Sequence, residues 1–354
     1  MFMNYLYPDS DAFDGFFLKQ YVEKKPVGFS IIDGGVIVPF GCDSGEGGCR
    51  LANFTCDYID EEVVYIGDFT TGHYGNFLID NLSRFWYVLK YKPLCKLAYI
   101  RKDFTFDSKP WSREIIHYLG LKCDAFLDIR KPTKFKRVIV PEKSFSHDQY
   151  VFNEYKLIFE AMYKAMETEK FHVYEKVYLT RTMLDMKKEV GEKLFERFFQ
   201  MNGFQIVSPE KLTIAEQAFI LRNCKEVASI EGTHAHNIVF KANSGIRYHQ
   251  IILRKQSECI PRQMQLNQIT NGEVTWIDVW REPFGNFPIT HDRGPFLIEW
   301  NDNVEKFARD NNMVIPDINH FIVYMNRALY CWKCLLYWCK HNAKKVVYAL
   351  KYKR

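Results

Sequence analysis

The alternation of apolar and polar positions is clearest in the second half of the chain. Lys176-Val177-Tyr178-Leu179 reads as a strand ending at Thr180-Arg181, and Glu189 to Asn202 as a helix stopped by Gly203. Phe204 to Val207 is a strand. Thr213-x-x-Glu216 is a capping box that opens a helix reaching Cys224. Glu226 to Ile230 is the next strand, Glu231-Gly232-Thr233 a tight turn, and a short helix runs to Phe240. Asn243-Ser244-Gly245 then turns the chain into the strand Ile246 to Leu253. Strands alternating with helices through short connections predict a parallel sheet.

The first half is β-richer. Val27 to Pro39 reads as two strands broken at Asp33-Gly34, and Glu61 to Ile66 as another. A polar, Gly-marked loop from Asp68 to Asn76 leads into helical spacing over Phe77 to Tyr91. Leu94 to Ile100 and Arg137 to Val140 are strands around a Glu114–Leu119 helix, so this half is expected to be a doubly wound α/β domain. The expected division is 1–150 for a first α/β domain, 151–172 for a linking helix, 173–316 for a second, Rossmann-like domain, and 317–354 for a tail.

The chain has 354 residues, 47% of them apolar and 26% charged, which suits two globular domains and excludes wholesale disorder. No run of about 18 uncharged apolar residues stands out, so no orthodox membrane span is expected. The first 17 residues hold Asp9, Asp11 and Asp14 and no Lys or Arg, unlike the basic start of a secretory signal. A cytoplasmic protein with reduced thiols is therefore expected, despite ten Cys. Cys42 and Cys49 flank a Gly-rich turn, and Cys331-x-x-Cys334 resembles half a zinc site with no second pair of matching spacing.

Charge is unevenly placed. The chain carries +5, and the stretch after Asp317 carries +8 with no acid, leaving −3 on the body. This excludes a broad nucleic-acid face on the body. At about 100° per residue, Lys333, Lys340, Lys344 and Lys351 fall within roughly 20° of one line among many aromatic and aliphatic residues. That is the pattern of a basic amphipathic helix lying on an anionic membrane surface through residues 318–354. The competing reading is a helix packed on the body with a solvated Lys face.

In a parallel sheet, ligands sit beyond the carboxyl ends of the strands. Two polar clusters fall there: Thr180-Arg181, and Glu231-Gly232-Thr233-His234-Ala235-His236-Asn237. A helix N-terminus with an Arg beside it suits a diphosphate. There is no Gly-x-Gly-x-x-Gly and no Gly-Lys-Ser/Thr, so neither a dinucleotide fingerprint nor a P-loop is present, and a nucleotide-sugar fits better than a hydrolysed triphosphate. His234 and His236, at i and i+2, point to different faces of a helix, which argues against a shared metal. A third cluster, Gly72-His73-Tyr74-Gly75-Asn76-Phe77-Leu78-Ile79-Asp80, offers His73 or Asp80 as general base, with Asp80 on the face of Asn76. The plainer role for Asp80 is an i, i+4 pair with Arg84.

Tyr65 to Tyr87 and Val177 to Gly245 resemble the family 61 glycosyltransferases. The matching pieces are the strand ending in Thr180-Arg181, the segment Gly203-Phe204-Gln205-Ile206-Val207-Ser208-Pro209-Glu210, Glu216-Gln217, and the strand-turn before Asn237-x-x-Phe240. Glu231 stands where many members have His, and Asn76 where many have His. The resemblance implies a GT-B-like fold of two Rossmann-like domains facing a cleft, with donor on the second half and acceptor on the first. It also implies inversion without an essential metal, in the synthesis of cell-surface polysaccharide. Thr180, Arg181, Gly232 and Thr233 are then expected to hold the donor diphosphate. Glu231, His236 and Asn237 would hold the nucleoside or sugar, Asn76 would line the cleft, and His73, then Asp80, would be the base. No cofactor is expected beyond a nucleotide-sugar co-substrate, a UDP-sugar first, with a glycan or lipid-linked acceptor at the inner face of the membrane. A non-catalytic membrane-surface scaffold and a metal-dependent hydrolase using His73, His234, His236 and the cysteines are the competing functions.

Overall fold

The computed structural model describes residues 4–7, 20–39, 48–50, 56–69, 72–101, 105, 108–184, 189–256, 261–281 and 294–352. Cys42 and Cys259 lie outside them, as do Thr70 and Thr71 of the Gly-marked loop. The fold is mixed α/β.

One sheet has six strands among the described residues, all parallel, in the order Asn4–Tyr7, Glu273–Asp278, His249–Arg254, Glu226–Ile230, Lys176–Leu179, Gln205–Val207. Parallel strands covered on both faces carry apolar residues on both, and the centres of the four inner strands do so. Tyr178, Ala228, Ile230, Ile251 and Leu253 pack on one face with Phe195, Phe198 and Phe199 of the helix Glu192–Met201. Val177, Leu179, Val227 and Ile252 pack on the other with Ile214 and Leu221 of the helix Ile214–Asn223. Successive side chains thus alternate between two cores. The capping box forms as the sequence predicts, with Thr213 and Glu216 bonding reciprocally.

From Lys176–Leu179 the chain crosses outward to Gln205–Val207. It then returns to Glu226–Ile230 on the other side and continues to His249–Arg254 and Glu273–Asp278. Strand order therefore reverses between Lys176–Leu179 and Glu226–Ile230. A crevice opens at the carboxyl ends of two strands wherever their connections leave in opposite directions.

The second sheet has seven strands among the described residues, and here the expectation of a doubly wound domain is corrected. Thr133–Pro141, Asp57–Phe69, Lys96–Arg101 and Phe126–Ile129 are parallel. Phe29–Asp33 and Val36–Val38, however, both lie antiparallel along one edge of Thr133–Pro141, and Gly48–Arg50 extends that edge. Gly34, at φ 65°, kinks the chain there, a conformation that costs glycine nothing.

Two domain expectations also change. The strand Asn4–Tyr7 belongs to the second-half sheet, so residues 1–150 do not form one sheet unit. The linking helix expected over 151–172 is α-helical only over Lys156–Ala165. Tyr150–Phe152 is β-branched and aromatic, and it pairs with Val22–Glu23 and Phe145–Ser146 instead. The helix expected from Glu189 likewise starts at Glu192, because Glu189–Val190 pairs in parallel with Phe296–Leu297 and Gly191 turns away at φ 103°. One apolar cluster runs without a break from Val64 and Phe69 of the seven-stranded sheet, through Phe77 and Phe159, to Val177 and Ile252 of the six-stranded sheet.

The chain ends in a 33-residue helix, His320–Tyr352. Tyr330 and Cys334 bury against Val190 and Leu297, and Arg327 forks onto Glu299 at 2.7 and 2.9 Å. Among the described residues no helix is long and apolar enough to cross a membrane.

Candidate active site at the strand reversal

Thr180 and Arg181 follow one strand of the reversal, and Glu231 and Gly232 follow the other. Lys255 follows the next strand. Arg181 and Lys255 converge on the Gly232 turn: a side-chain carbon at position 232 would lie 3.5 Å from Lys255 Nζ and 3.7 Å from Arg181 Nη1. Gly232 has φ 137°, a backbone conformation that a side chain would strain.

Between the two cations lies Glu189, whose side chain is fully buried. Its Oε1 is 2.9 Å from Lys255 Nζ and 3.1 Å from Arg181 Nε. Burial pushes this carboxyl upward, but Lys255 and Arg181 outweigh it and hold it at about 2. Lys255 is pulled down by burial and lifted again by Glu189. Two cations share the Glu189 carboxylate, with the Glu231 carboxyl also acting on Lys255, so both positive groups are held in place at the carboxyl ends of the strands. An anion brought there meets preplaced charge in a low-dielectric setting.

A second carboxylate fixes the backbone. Glu192, fully buried, accepts from the Arg181 N–H at 2.8 Å and from the Tyr178 hydroxyl at 3.4 Å. Glu196 accepts from Thr182 at 2.6 Å and also bonds Thr180. The Thr180 hydroxyl is thus committed to the acids of the neighbouring helix and is not turned to the crevice as a donor ligand.

The expected helix N-terminus is reduced: only Thr233–His236 is α-helical before a 3-10 stretch from Asn237 to Lys241. Four residues carry little macrodipole, so the positive potential comes from Arg181 and Lys255. His234 and His236 are each driven down to about 3, chiefly by burial. Both are neutral at pH 7 and add no charge. The His236 ring bonds Gln263 at 2.7 Å, within a buried set that continues to Asn267 and Gln250. Asn237 donates to Gln217 at 3.0 Å. These two side chains brace the turn from behind. Glu231 is fully buried at its base.

The first half meets this turn through the helix Tyr74–Ile79. A side-chain carbon at Gly75 would lie 3.2 Å from both Oγ1 and Cγ2 of Thr233. His73, exposed, is the N-cap residue of that helix, with no capping bond from its side chain, and Asn76 is half-buried one turn on. The structure therefore brings together Arg181, Gly232, Thr233 and the His73–Asn76 segment. Asp80 lies at the other end of the helix, roughly 8 Å from Gly75 along the axis. Its carboxylate is 4.0 Å from Lys143. Arg84, expected as its partner, donates instead to the Pro141 carbonyl at 2.8 Å.

Lys255 and Glu189 are the residues that sequence reasoning missed. Lys255 carries the same signal as Arg181, a cation just past a strand. Glu189 was hidden by a helical pattern that fits its neighbours. Among the described residues no group of three His, Cys, Asp or Glu could hold a metal ion, and Cys331 and Cys334 are free thiols.

A comparison with curated proteins gave no match. Residues 74–248 match the family model described as Glycosyltransferase 61. That segment contains the Tyr74–Ile79 helix, the Arg181 strand end and the Glu231–Asn237 turn, and Lys255 lies just beyond it. Residues 74–248 form a glycosyltransferase family 61 segment.

Proposed function

We propose that the protein is an inverting glycosyltransferase that takes a sugar from a nucleoside diphosphate donor, UDP first among them, to a glycan or lipid-linked acceptor in cell-surface polysaccharide synthesis. The observation that carries this reading is the pairing of Arg181 and Lys255 around the Gly232 turn at the strand reversal. The donor diphosphate lies on these two cations, and the six-stranded sheet with its helices serves as the donor half of a GT-B-like pair. Arg181 and Lys255 supply the charge that a divalent ion supplies in metal-dependent transferases, so transfer proceeds without one.

The acceptor enters from the side of the seven-stranded sheet. Its hydroxyl oxygen attacks the anomeric carbon from the face opposite the diphosphate. His73 takes the hydroxyl proton as the new C–O bond forms. The bond to the diphosphate oxygen breaks, and the nucleoside diphosphate leaves with the electron pair, stabilised by Arg181 and Lys255. His73 is preferred to Asp80 because its end of the helix meets Thr233 and Asp80's does not. Glu231, His236 and Asn237 shape the floor under the donor, and Asn76 lines the acceptor side.

The long C-terminal helix holds the enzyme at the inner face of the membrane. Its outward side exposes Phe321, Met325, Leu329, Trp332 and Leu336, with the lysine row along one edge. Aromatic and aliphatic groups enter the headgroup boundary while lysines meet anionic phosphates.

The base assignment is tested with His73→Ala, using release of nucleoside diphosphate from the bound donor as the readout. Loss of a general base is worth about 10²–10⁴ in kcat, with donor Kd unchanged. An unaltered kcat would remove His73 from the mechanism.

A further inference from the structure

The long helix does not lie flush on the body. Between it and the first turn of the helix Glu192–Met201 runs a slot of about 460 Å³. Its walls are Val190, Leu194, Ile322, Val323 and Leu329. Lys193, Arg197 and Lys333 line it as well, bringing cations from both helices to one opening. Two carboxylates also border the slot, Glu189 and Glu192. Both are buried and turned to partners of the donor cluster: Glu189 pairs Arg181 and Lys255, and Glu192 accepts from the Arg181 N–H. Asp317 is exposed where the helix begins. At about 100° per residue, Lys333 lies roughly 40° from Leu329, which belongs to the exposed apolar side. The slot thus opens along the edge where the apolar side gives way to the lysine row.

We propose that this slot takes one acyl chain of an anionic membrane lipid, with Lys193, Arg197 and Lys333 on its headgroup phosphate. The proposal rests on the reading of the long helix as a membrane-surface element and assigns that surface a lipid site. An apolar slot with a cationic mouth suits an amphiphile with an anionic head, and its volume falls within the roughly 300–1,000 Å³ of small-molecule sites. Continuity with the exposed apolar side lets a lipid enter from the leaflet without crossing water. The slot shares Glu189 and Glu192 with the donor cluster, so a lipid seated there lies directly behind the diphosphate site.

The test is vesicle flotation of the full chain with phosphatidylcholine alone and with phosphatidylcholine containing phosphatidylglycerol. The intact protein should float with the anionic vesicles only. The triple variant K193Q/R197Q/K333Q should lose more than a hundredfold in affinity, because about 1 kcal/mol of surface attraction per basic residue goes together with the direct bonds to the phosphate. The variant K340Q/K344Q/K351Q removes equal charge from the long helix away from the slot and should lose only the surface attraction, clearly less. N326W narrows the slot without changing charge and should also weaken binding, while soluble glycerol 3-phosphate at millimolar concentration should not compete. Equal losses in the two triple variants, or an undiminished N326W, would overturn the slot and leave the membrane-surface reading standing. An intact chain that ignores anionic vesicles would overturn both. Thermal unfolding of each variant shows that it is folded, and the side chains of Lys193, Arg197, Asn326, Lys333, Lys340 and Lys344 lie at least partly on the surface.

Discussion

Arg181→Ala should weaken nucleoside diphosphate binding by about 2–4 kcal/mol, on the order of 30- to 1,000-fold in Kd. The guanidinium reaches the Gly232 turn beside Lys255, and its Nε is held 3.1 Å from buried Glu189. In the variant, Glu189 keeps only Lys255, so the remaining pair is close to neutral and an incoming diphosphate meets far less positive potential. Arg181→Lys should recover part of the loss, because an ammonium restores charge without the fork. Lys255→Ala should behave like Arg181→Ala, although it lies past the end of the family match. Calorimetric titration with the nucleotide that binds the intact protein gives each Kd. Unchanged affinity in Arg181→Ala would place the donor elsewhere.

Gly191→Ala is expected to be strongly destabilising. Gly191 adopts φ 103°, and a side-chain carbon there would sit 2.1 Å from the Ile298 carbonyl oxygen. That oxygen belongs to the backbone, so no side-chain rotation relieves the clash. The strand pair Glu189–Val190 with Phe296–Leu297 must part, including the Ile298 N–H bond to the Val190 carbonyl at 3.0 Å. The combined strain and lost pairing should cost about 3 kcal/mol or more, lowering Tm by roughly 5 °C or more. Because Glu189 precedes this break, donor affinity should fall as well. A variant with wild-type Tm and nucleotide affinity would show that this strand pair does not hold the carboxylate.

Much of the donor side could be read along the chain, because parallel strands advertise themselves. Glu226–Ile230 is apolar on both faces and is bounded by a turn, so its limits were plain and Glu231-Gly232 followed. Arg181 was found by the same logic. What the sequence hid were residues whose role depends on a distant partner. Glu189 fits the period of the helix after it, and only pairing with Phe296, over a hundred residues away, makes it a strand. Tyr150–Phe152 likewise suits a helix or a strand until Val22 is beside it. Asn4–Tyr7 offers no sign that it joins the far sheet. His236 and Asn237 looked like ligand groups because they are polar at a strand-turn, but Gln263 and Gln217, which engage them, come from other helices. The helical spacing between Asn76 and Asp80 holds, since the Asp80 N–H bonds the Asn76 carbonyl, but the Asp80 carboxylate sits at the far end of the helix near Lys143.

The central claim is a nucleotide-sugar site built on Arg181, Lys255 and the Gly232 turn without a metal. It is tested most directly by thermal unfolding of the purified chain against UDP, GDP, CMP and dTDP, each in EDTA and in Mn²⁺. A nucleotide at about 100 times its Kd should stabilise the folded protein by roughly 2.7 kcal/mol. Stabilisation is expected from a nucleoside diphosphate, UDP first, in EDTA and unimproved by Mn²⁺, with less than about 1 kcal/mol of it left in the Arg181→Ala variant. Stabilisation only with Mn²⁺, or by no nucleotide at all, would contradict the claim.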